Sequence, residues 1–155
     1  MHVKFTLSNI KPISYNQYLY GRTKTRTQKA RKWGKEVAKQ CTNKNHNWSF
    51  LRNSFKSHEH VISVSYTFRI PVKDYYAQSG PNKGGISSRS IDVDNCIKAL
   101  QDILFEPKYH ERGDIENFNI DDKYIYQVIA QKLPINDKTY SIDIEVHIHD
   151  KPVPS

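Results

Sequence analysis

The 155 residues carry 24 lysines and arginines against 16 aspartates and glutamates, which gives a formal net charge of +8, and 37% of the chain is hydrophobic. That length suits one domain with a buried core, and no apolar run approaches the about 20 residues of a membrane span. The first residues lack the long apolar stretch of a signal peptide. Cys41 and Cys96 stand outside any zinc-ligand spacing, which indicates free thiols and predicts a cytoplasmic protein.

The positive charge is concentrated in the first 60 residues. They hold 13 Lys and Arg against two acids, a net charge of +11, whereas the rest of the chain sums to −3. This asymmetry points to a polyanionic partner, which is DNA, RNA or an anionic membrane surface. Simple solubility is the alternative, and charge alone does not exclude it.

The elements predicted along the chain begin with a strand over 3–8. After a loop that contains Pro and Tyr, a helix is predicted over 26–41, with outer faces rich in Lys and Arg. Its inner stripe recurs at helical spacing: Ala30, Trp33, Val37 and Cys41. The stretch 42–60 is ambiguous, with room for a short helix around "WSFLRNSF". Residues 60–72 alternate apolar and polar side chains, which predicts a strand.

The second half opens with a breaker-rich stretch over 73–90 that predicts a mobile loop. A helix is predicted over 94–106, followed by a loop. Strands over 123–133 and 139–150 are separated by "PIND", which predicts a hairpin. The order β-α-β-α-β-β predicts a single α+β domain over residues 1–155, with a mixed sheet and the helices on one face.

Two acidic pairs stand out in this basic chain. Asp92 and Asp94 precede the second long helix, and Asp121 and Asp122 stand directly before a predicted strand. A hard cation such as Mg²⁺ prefers carboxylate oxygens. If that strand lies beside the start of the helix, three of these carboxylates would meet at one metal, which would activate water and neutralise charge on a phosphoryl group.

Lys98 lies four residues after Asp94, where its ammonium would hold a phosphate or stabilise developing negative charge. Each of these features also has a purely structural interpretation. An Asp at a helix start is commonly an N-cap, worth about 1 kcal/mol. Asp94 and Lys98 have the spacing of an ordinary ion pair within a helix, and "IDDK" has the composition of a turn. Spacing alone does not decide between these interpretations.

The stretch "DVDNCIKALQD" resembles the D-x-D-N-x-x-K-A-x-x-D segment of the RusA family of Holliday junction resolvases. The acidic pair of "IDDKYIYQV" is similar to the family's next signature, in which the second aspartate is essential. Pro12, Ser14 and Asn16 resemble the family's P-x-S-x-N motif, and the basic stretch "KARKWGKEVA" follows as a basic helix does in the family. Order and spacing agree over roughly residues 3–148.

This resemblance implies a small homodimeric endonuclease that requires Mg²⁺ or Mn²⁺, uses no organic cofactor and does not act at membranes. It would resolve four-way DNA junctions by paired nicks, in recombination and repair, within a prokaryotic cytoplasm and often from a prophage. The resemblance implies Asp92, Asp94 and Asp122 as metal-binding catalytic residues, with Asp121 as a further candidate ligand and Lys98 as the catalytic lysine.

The chain departs from the family pattern in its basic residues and its length. Familiar members carry an Arg-rich run directly before the first Asp, whereas the corresponding stretch "SSRSI" contains only Arg89. This chain also has extra residues in 42–60, 73–90 and 106–120.

The residues that we expect to contact DNA are Arg31, Lys32, Lys35, Arg89 and Lys98. The alternatives are a nuclease of the same fold acting on other branched DNA, a non-enzymatic dimeric DNA-binding module and a basic RNA-binding protein.

Overall fold

The computed structural model describes residues 1–14, 19–20, 25–44, 47–105 and 118–155. Its elements in chain order are β1 (His2–Ser8), β2 (Leu19–Tyr20), β3 (Thr25–Arg26), α1 (Gln28–Lys44), α2 (Asn47–Ser54), β4 (His60–Pro71), α3 (Val72–Tyr75), α4 (Val93–Phe105), a 3₁₀ turn (Asp122–Tyr124), β5 (Ile125–Ile135) and β6 (Ser141–Asp150). The predicted long helices and strands are all present, with ends displaced by up to three residues. Within the described part of the chain, no helix is both long and apolar enough to cross a bilayer.

The fold is organised around a four-stranded mixed sheet with the order β1-β6-β4-β5. β6 pairs antiparallel with both β1 and β4, whereas β5 pairs parallel with β4. A parallel pair needs a crossover connection, and α4 lies in the connection between β4 and β5. β2 and β3 form a separate two-stranded ribbon. The predicted α+β class with a mixed sheet is confirmed.

The predicted hairpin between the last two strands is wrong, because β4 lies between β5 and β6 and pairs with both. The burial of the side chains explains why β4, and not β5, lies next to β6 in the sheet. The core-facing side chains of β4 are at most 1% exposed: Ile62, Val64, Tyr66, Phe68 and Ile70. β5 instead leaves large apolar side chains 39% to 55% exposed: Tyr126, Val128, Ile129 and Leu133. The central position therefore goes to the strand that buries the most apolar area.

The helices cover one face of the sheet and form the core with it. The helical side chains in this core are Ala30, Val37 and Cys41 from α1, Leu51 from α2, and Cys96, Ala99, Leu100, Ile103, Leu104 and Phe105 from α4. The opposite face of the sheet is polar. There Arg69 donates two hydrogen bonds to Oδ2 of Asp143, at 2.9 Å and 2.7 Å, and Thr6 donates to Oδ1 of the same carboxylate at 2.8 Å.

The stretch predicted as a loop over 73–90 contains the end of α3 and a closed turn. Tyr76 and Ile86 form an isolated antiparallel bridge. Gly80 and Gly84 adopt φ of 80° and 86°, which glycine reaches without a clash from a side chain. The predicted loop over 106–120 lies outside the described residues up to 117, as does Asn16 of the N-terminal motif.

Candidate active site

Asp92 occupies the N-cap position of α4. The backbone N–H of Cys96 donates to the carbonyl oxygen of Asp92 at 3.2 Å, which makes this the first bond of the helix. The side-chain amide of Asn95 donates to Oδ2 of Asp92 at 3.2 Å. Asp92 and Asp94 are both exposed at this end of the helix. Capping and ligand binding are compatible here, because an exposed carboxylate has lone pairs for more than one partner.

Asp92 also affects the thiol that lies one helical turn further on. Cys96 is only 3% exposed, and burial raises the pKa of its thiol from 9.0 to about 11, with the negative charge of Asp92 as the second cause. A cysteine in this environment stays protonated and serves as a small apolar side chain. The carboxylate of Asp92 is thus close enough to α4 for its charge to be felt inside the core.

Lys98 projects from the next turn of α4 and is about half exposed. Its ammonium lies 3.8 Å from Oδ1 of Asp102, whose side chain is 18% exposed. An ion pair of this length at a partly exposed site contributes little to stability. Lys98 lies on the same helix as Asp92 and Asp94, and its side chain is half exposed to solvent.

Asp121 and Asp122 form the turn that leads into β5. Oδ1 of Asp121 accepts a hydrogen bond from the backbone N–H of Lys123 at 3.0 Å and caps the 3₁₀ turn. That bond is the main cause that lowers the pKa of Asp121, so its carboxylate is ionised and already engaged in the turn. Asp122 is exposed and directly precedes the strand. The turn interpretation of "IDDK" is confirmed for its backbone.

The two acidic pairs lie towards opposite ends of the unit formed by α4 and β5. The chain just before Asp92 is held at Lys132, whose ammonium is 2.9 Å from Oγ of Ser90 and 3.1 Å from the carbonyl oxygen of Ile91. Lys132 comes seven residues after the start of β5, which corresponds to roughly 23 Å along a strand. Asp122 lies at the other end, because it comes just before that start.

β5 contacts α4, but the start of β5 lies towards the far end of that helix. In a parallel β-α-β unit the helix runs back against the direction of the strands, and spacing in the sequence cannot show this. Across the described ranges, no group of three or more His, Cys, Asp or Glu is placed to hold a metal ion. The convergence of Asp92, Asp94 and Asp122 on one metal ion therefore stays a prediction.

The predicted basic residues lie on the outside of the molecule. Arg31, Lys32 and Lys35 are exposed on α1, on the side away from the buried Ala30 and Val37. α1 packs on the same face of the sheet as α4 and contacts it. Arg89 is exposed three residues before Asp92. The cationic surface and the Asp92 end of α4 thus belong to the helical side of the molecule.

Sequence reasoning missed two residues at the Asp92 end of the site. Asn95 belongs to the "DVDN" motif but no role for it follows from the sequence, and no sequence pattern points to Lys132. The available signal for Lys132 was weak, because a lysine in an edge strand is typically exposed. Here Lys132 pairs with the buried Phe68 and so points towards the helical face.

The structure is an α+β fold with exposed carboxylates at the start of a helix and before a neighbouring strand, and its exposed basic helix favours the class of nucleic-acid-binding proteins. The comparison with protein families narrows this class. Residues 9–149 match the family described as endodeoxyribonuclease RusA, and the chain belongs to that family. The match spans nearly the whole chain and includes both acidic pairs. No curated protein matches the chain.

Proposed function

We propose that this protein is a Mg²⁺-dependent homodimeric endonuclease that resolves four-way DNA junctions by paired nicks, in recombination and repair. The observation that carries the proposal is the match to the RusA family over residues 9–149. We place the protein in a prokaryotic cytoplasm, encoded by a bacterial or prophage gene. Mn²⁺ would substitute for Mg²⁺, since the two ions take the same oxygen ligands.

The donor chemistry of the acidic residues fits a hard cation, because all the candidate ligands are carboxylate oxygens. Asp92, Asp94 and Asp122 would hold the ion, and Asp121 is a further candidate. A bound ion would activate water and neutralise the charge of the phosphate that is attacked. Lys98 would contribute a positive charge to the same phosphate from the second turn of α4.

The basic surface would hold the DNA backbone while the carboxylates act. Arg31, Lys32, Lys35 and Arg89 are the exposed cations that we assign to this role. Contacts to phosphates position DNA without reading its sequence, which suits a substrate defined by its branched shape. Without a metal, Asp92, Asp94 and Asp122 would repel phosphate, so binding and cleavage should respond differently to metal removal.

The separation of the acidic pairs leads us to propose that each metal site is shared between two chains. β5 is an edge strand that pairs only with β4 among the described residues. It is 11 residues long and exposes large apolar side chains, which is typical of an edge that pairs with another strand. A second copy of this chain offers the same edge, and two-fold dimers use one surface on both subunits.

Antiparallel pairing of β5 with the same strand of a second copy would place the start of one strand beside the end of the other. Asp122 precedes the start of β5, and the segment that leads to Asp92 is held near its end by Lys132. Such a dimer would bring Asp92 and Asp94 towards Asp122 of the partner subunit. Two sites related by a two-fold axis would then act on two strands of a junction.

The primary test is a labelled four-way junction incubated with and without Mg²⁺ and analysed on a denaturing gel. We expect paired symmetric nicks with Mg²⁺ and none in EDTA. Equal cleavage of flaps or plain duplex would favour the alternative of a nuclease for other branched DNA. Binding without cleavage in either Mg²⁺ or Mn²⁺ would favour the non-enzymatic binding module.

The shared site is tested by mixing two inactive variants, Asp92→Asn and Asp122→Asn, under conditions that allow subunits to exchange. In a shared arrangement, the mixed dimer keeps one complete site, formed by Asp92 of one chain and Asp122 of the other. We expect each variant alone to be inactive and the mixture to give single nicks rather than paired ones. A mixture that stays inactive although mixed dimers are shown to form would mean that each chain holds its own site.

A further inference from the structure

Lys132 is the described residue that ties β5 to the segment in front of Asp92. Its backbone pairs with that of Phe68 in β4, so its side chain points to the same face as a fully buried aromatic ring. Its ammonium donates to Oγ of Ser90 at 2.9 Å and to the carbonyl oxygen of Ile91 at 3.1 Å. It also lies 5.6 Å from the centre of the Tyr75 ring.

These contacts explain why a lysine is tolerated at a half-buried position. An ammonium withdrawn from water is costly unless its donors are satisfied, and the two oxygen acceptors and the aromatic face satisfy it. Hydrogen bonds from a charged donor are roughly twice as strong as neutral ones. The segment of Ser90 and Ile91 is therefore held more firmly than an ordinary loop would be.

The segment that Lys132 holds is continuous with Asp92. Ile91 is the residue directly before it, and Asp92 begins α4 with its own carbonyl oxygen. The chain upstream is fixed as well, since the N–H of Ser87 donates to the carbonyl oxygen of Tyr75 at 2.9 Å. Asp92 is thus presented between a strand that anchors the chain before it and a helix that anchors the chain after it.

We propose that Lys132 is a positioning residue for Asp92, which fixes the backbone on the strand side of the candidate metal site. The proposal rests on the proposed function, because it assigns the carboxylate of Asp92 to a metal. In this role Lys132 would act through Ser90 and Ile91 and would not itself bind the metal or the DNA. It acts by restricting where the carboxylate of Asp92 can lie before the ion binds, which reduces the ordering that binding requires.

The first test needs neither metal nor DNA, so it does not depend on the proposed function. Hydrogen exchange of the peptide that covers residues 87–95 is compared between the wild type and Lys132→Met, which keeps the length and apolar stem of the side chain. Lys138→Met is the matched control, because Lys138 is exposed in the turn after β5. We expect faster exchange in Lys132→Met only, with Ser90→Ala intermediate. Unchanged exchange in Lys132→Met would overturn the proposal.

The second test measures the Mg²⁺ dependence of junction cleavage in the same variants. We expect the half-saturating Mg²⁺ concentration to rise about tenfold in Lys132→Met, the low end for groups that orient metal ligands, while junction binding in EDTA stays at the wild-type level. Lys132→Arg keeps the cation and should recover part of the metal affinity. If Lys132→Met lowers the melting temperature but leaves the Mg²⁺ dependence unchanged, its role is structural only and the proposal fails. A wild-type protein that cuts no junction would refute the proposed function instead, while the exchange experiment would still decide whether Lys132 holds the segment.

Discussion

The side chains of Asn95 and Asp92 are hydrogen-bonded across the first turn of α4, with Nδ2 of Asn95 3.2 Å from Oδ2 of Asp92. This bond occupies one oxygen of the carboxylate and limits its rotation. Lys132 fixes the chain before Asp92, and Asn95 fixes its carboxylate from the helix. The chain before Asp92 and the carboxylate itself are thus held by different elements, β5 and α4.

We predict that Asn95→Ala lowers cleavage by roughly tenfold to a hundredfold, the range found when a group that orients a metal ligand is removed. The fold should survive, because the lost bond lies between exposed side chains and contributes only about 1 kcal/mol. Cleavage rate and urea denaturation are the measurements. Asn53→Ala is the control, since Asn53 is an exposed asparagine on α2, a different helix from the one that Asp92 begins. Wild-type cleavage by Asn95→Ala would show that the bond has no part in the reaction.

The second prediction concerns the basic side of α1. Replacing Arg31, Lys32 and Lys35 with Ala should weaken junction binding and flatten its salt dependence by about one unit of slope for each lost phosphate contact. Lys4→Ala is the control, because Lys4 is exposed on β1 and pairs with Glu145 on the face of the sheet opposite the helices. Binding is measured by gel shift in EDTA over a series of salt concentrations. An unchanged salt slope in the triple variant would show that α1 does not face the DNA.

The third prediction concerns the edge of the sheet. Ile129 is 55% exposed on β5, and Ile129→Lys places a charge on the strand that we expect to pair with a second copy. The variant should be monomeric by light scattering, should keep its circular dichroism spectrum and should lose cleavage. Val153→Lys is the control, because Val153 is 89% exposed outside the sheet. A dimer that persists in Ile129→Lys, or a monomer that still cuts, would contradict the proposed interface.

The elements themselves could be predicted because they follow from local periodicity. Ile62, Val64, Tyr66 and Phe68 alternate along β4, and α4 repeats apolar residues at helical spacing. The order of the strands could not be predicted in this way. The turn after β5 has the composition of a hairpin, yet β4 takes the place beside β6 because its side chains are buried more completely. Which strand pairs with β6 therefore depends on how the whole core is packed and not on the turn that connects β5 to β6.

In the candidate site, too, the residue types could be predicted from the sequence but their arrangement in space could not. The residue types and their motif identified Asp92, Asp94 and Asp122 as candidates, but spacing carried no information about which end of the helix meets the start of β5. The parallel pairing of β4 and β5, together with the hydrogen bonds from Lys132 to Ser90 and Ile91, indicates that the acidic pairs lie towards opposite ends. The role of Lys132 could not be predicted from the sequence, because it depends on a contact with Ser90, which is 42 residues away.

The fourth prediction concerns the buried thiols. Burial raises the pKa of Cys41 from 9.0 to about 12, and burial together with the charge of Asp92 raises that of Cys96 to about 11. In the unfolded chain both thiols ionise near their ordinary value, so above about pH 9 the unfolded state binds fewer protons than the folded one. Stability contributed by these thiols is therefore complete below about pH 9 and is lost as the pH rises towards 11.

We expect the free energy of unfolding in urea to fall between about pH 9 and about pH 11. Cys41→Ala should show a smaller fall than the wild type, although it is less stable at about pH 8 because it removes a buried side chain. The comparison of slopes is needed because burial also raises the pKa of Tyr66 and of Tyr140, which act in the same direction at higher pH. If the free energy of unfolding falls with pH equally steeply in the wild type and in Cys41→Ala, the pKa of Cys41 is the same in the folded and the unfolded state.

The last prediction contrasts Asp122→Asn with Lys98→Ala. Asparagine is nearly isosteric with aspartate, and Asp122 is exposed, so the fold should survive. The change removes a negative charge from the candidate metal site, and cleavage should fall by orders of magnitude because water activation depends on the ion. Junction binding in EDTA should stay equal or tighten, since one charge that repels phosphate is gone. Asp137→Asn, in the exposed turn after β5, is the matched control.

Lys98→Ala should lower cleavage as well, but with the opposite effect on binding. It removes a cation that would contact phosphate, so metal-free binding should stay equal or weaken and should not tighten. Lys98 also pairs with Asp102, so circular dichroism is needed to show that α4 is retained. If junction affinity in EDTA rises in Asp122→Asn and falls in Lys98→Ala, the two variants distinguish a residue that binds the metal from one that binds the phosphate. If folded Asp122→Asn cuts at the wild-type rate, Asp122 is not a metal ligand. That result would contradict both the site of three aspartates and the proposal that a second chain completes it.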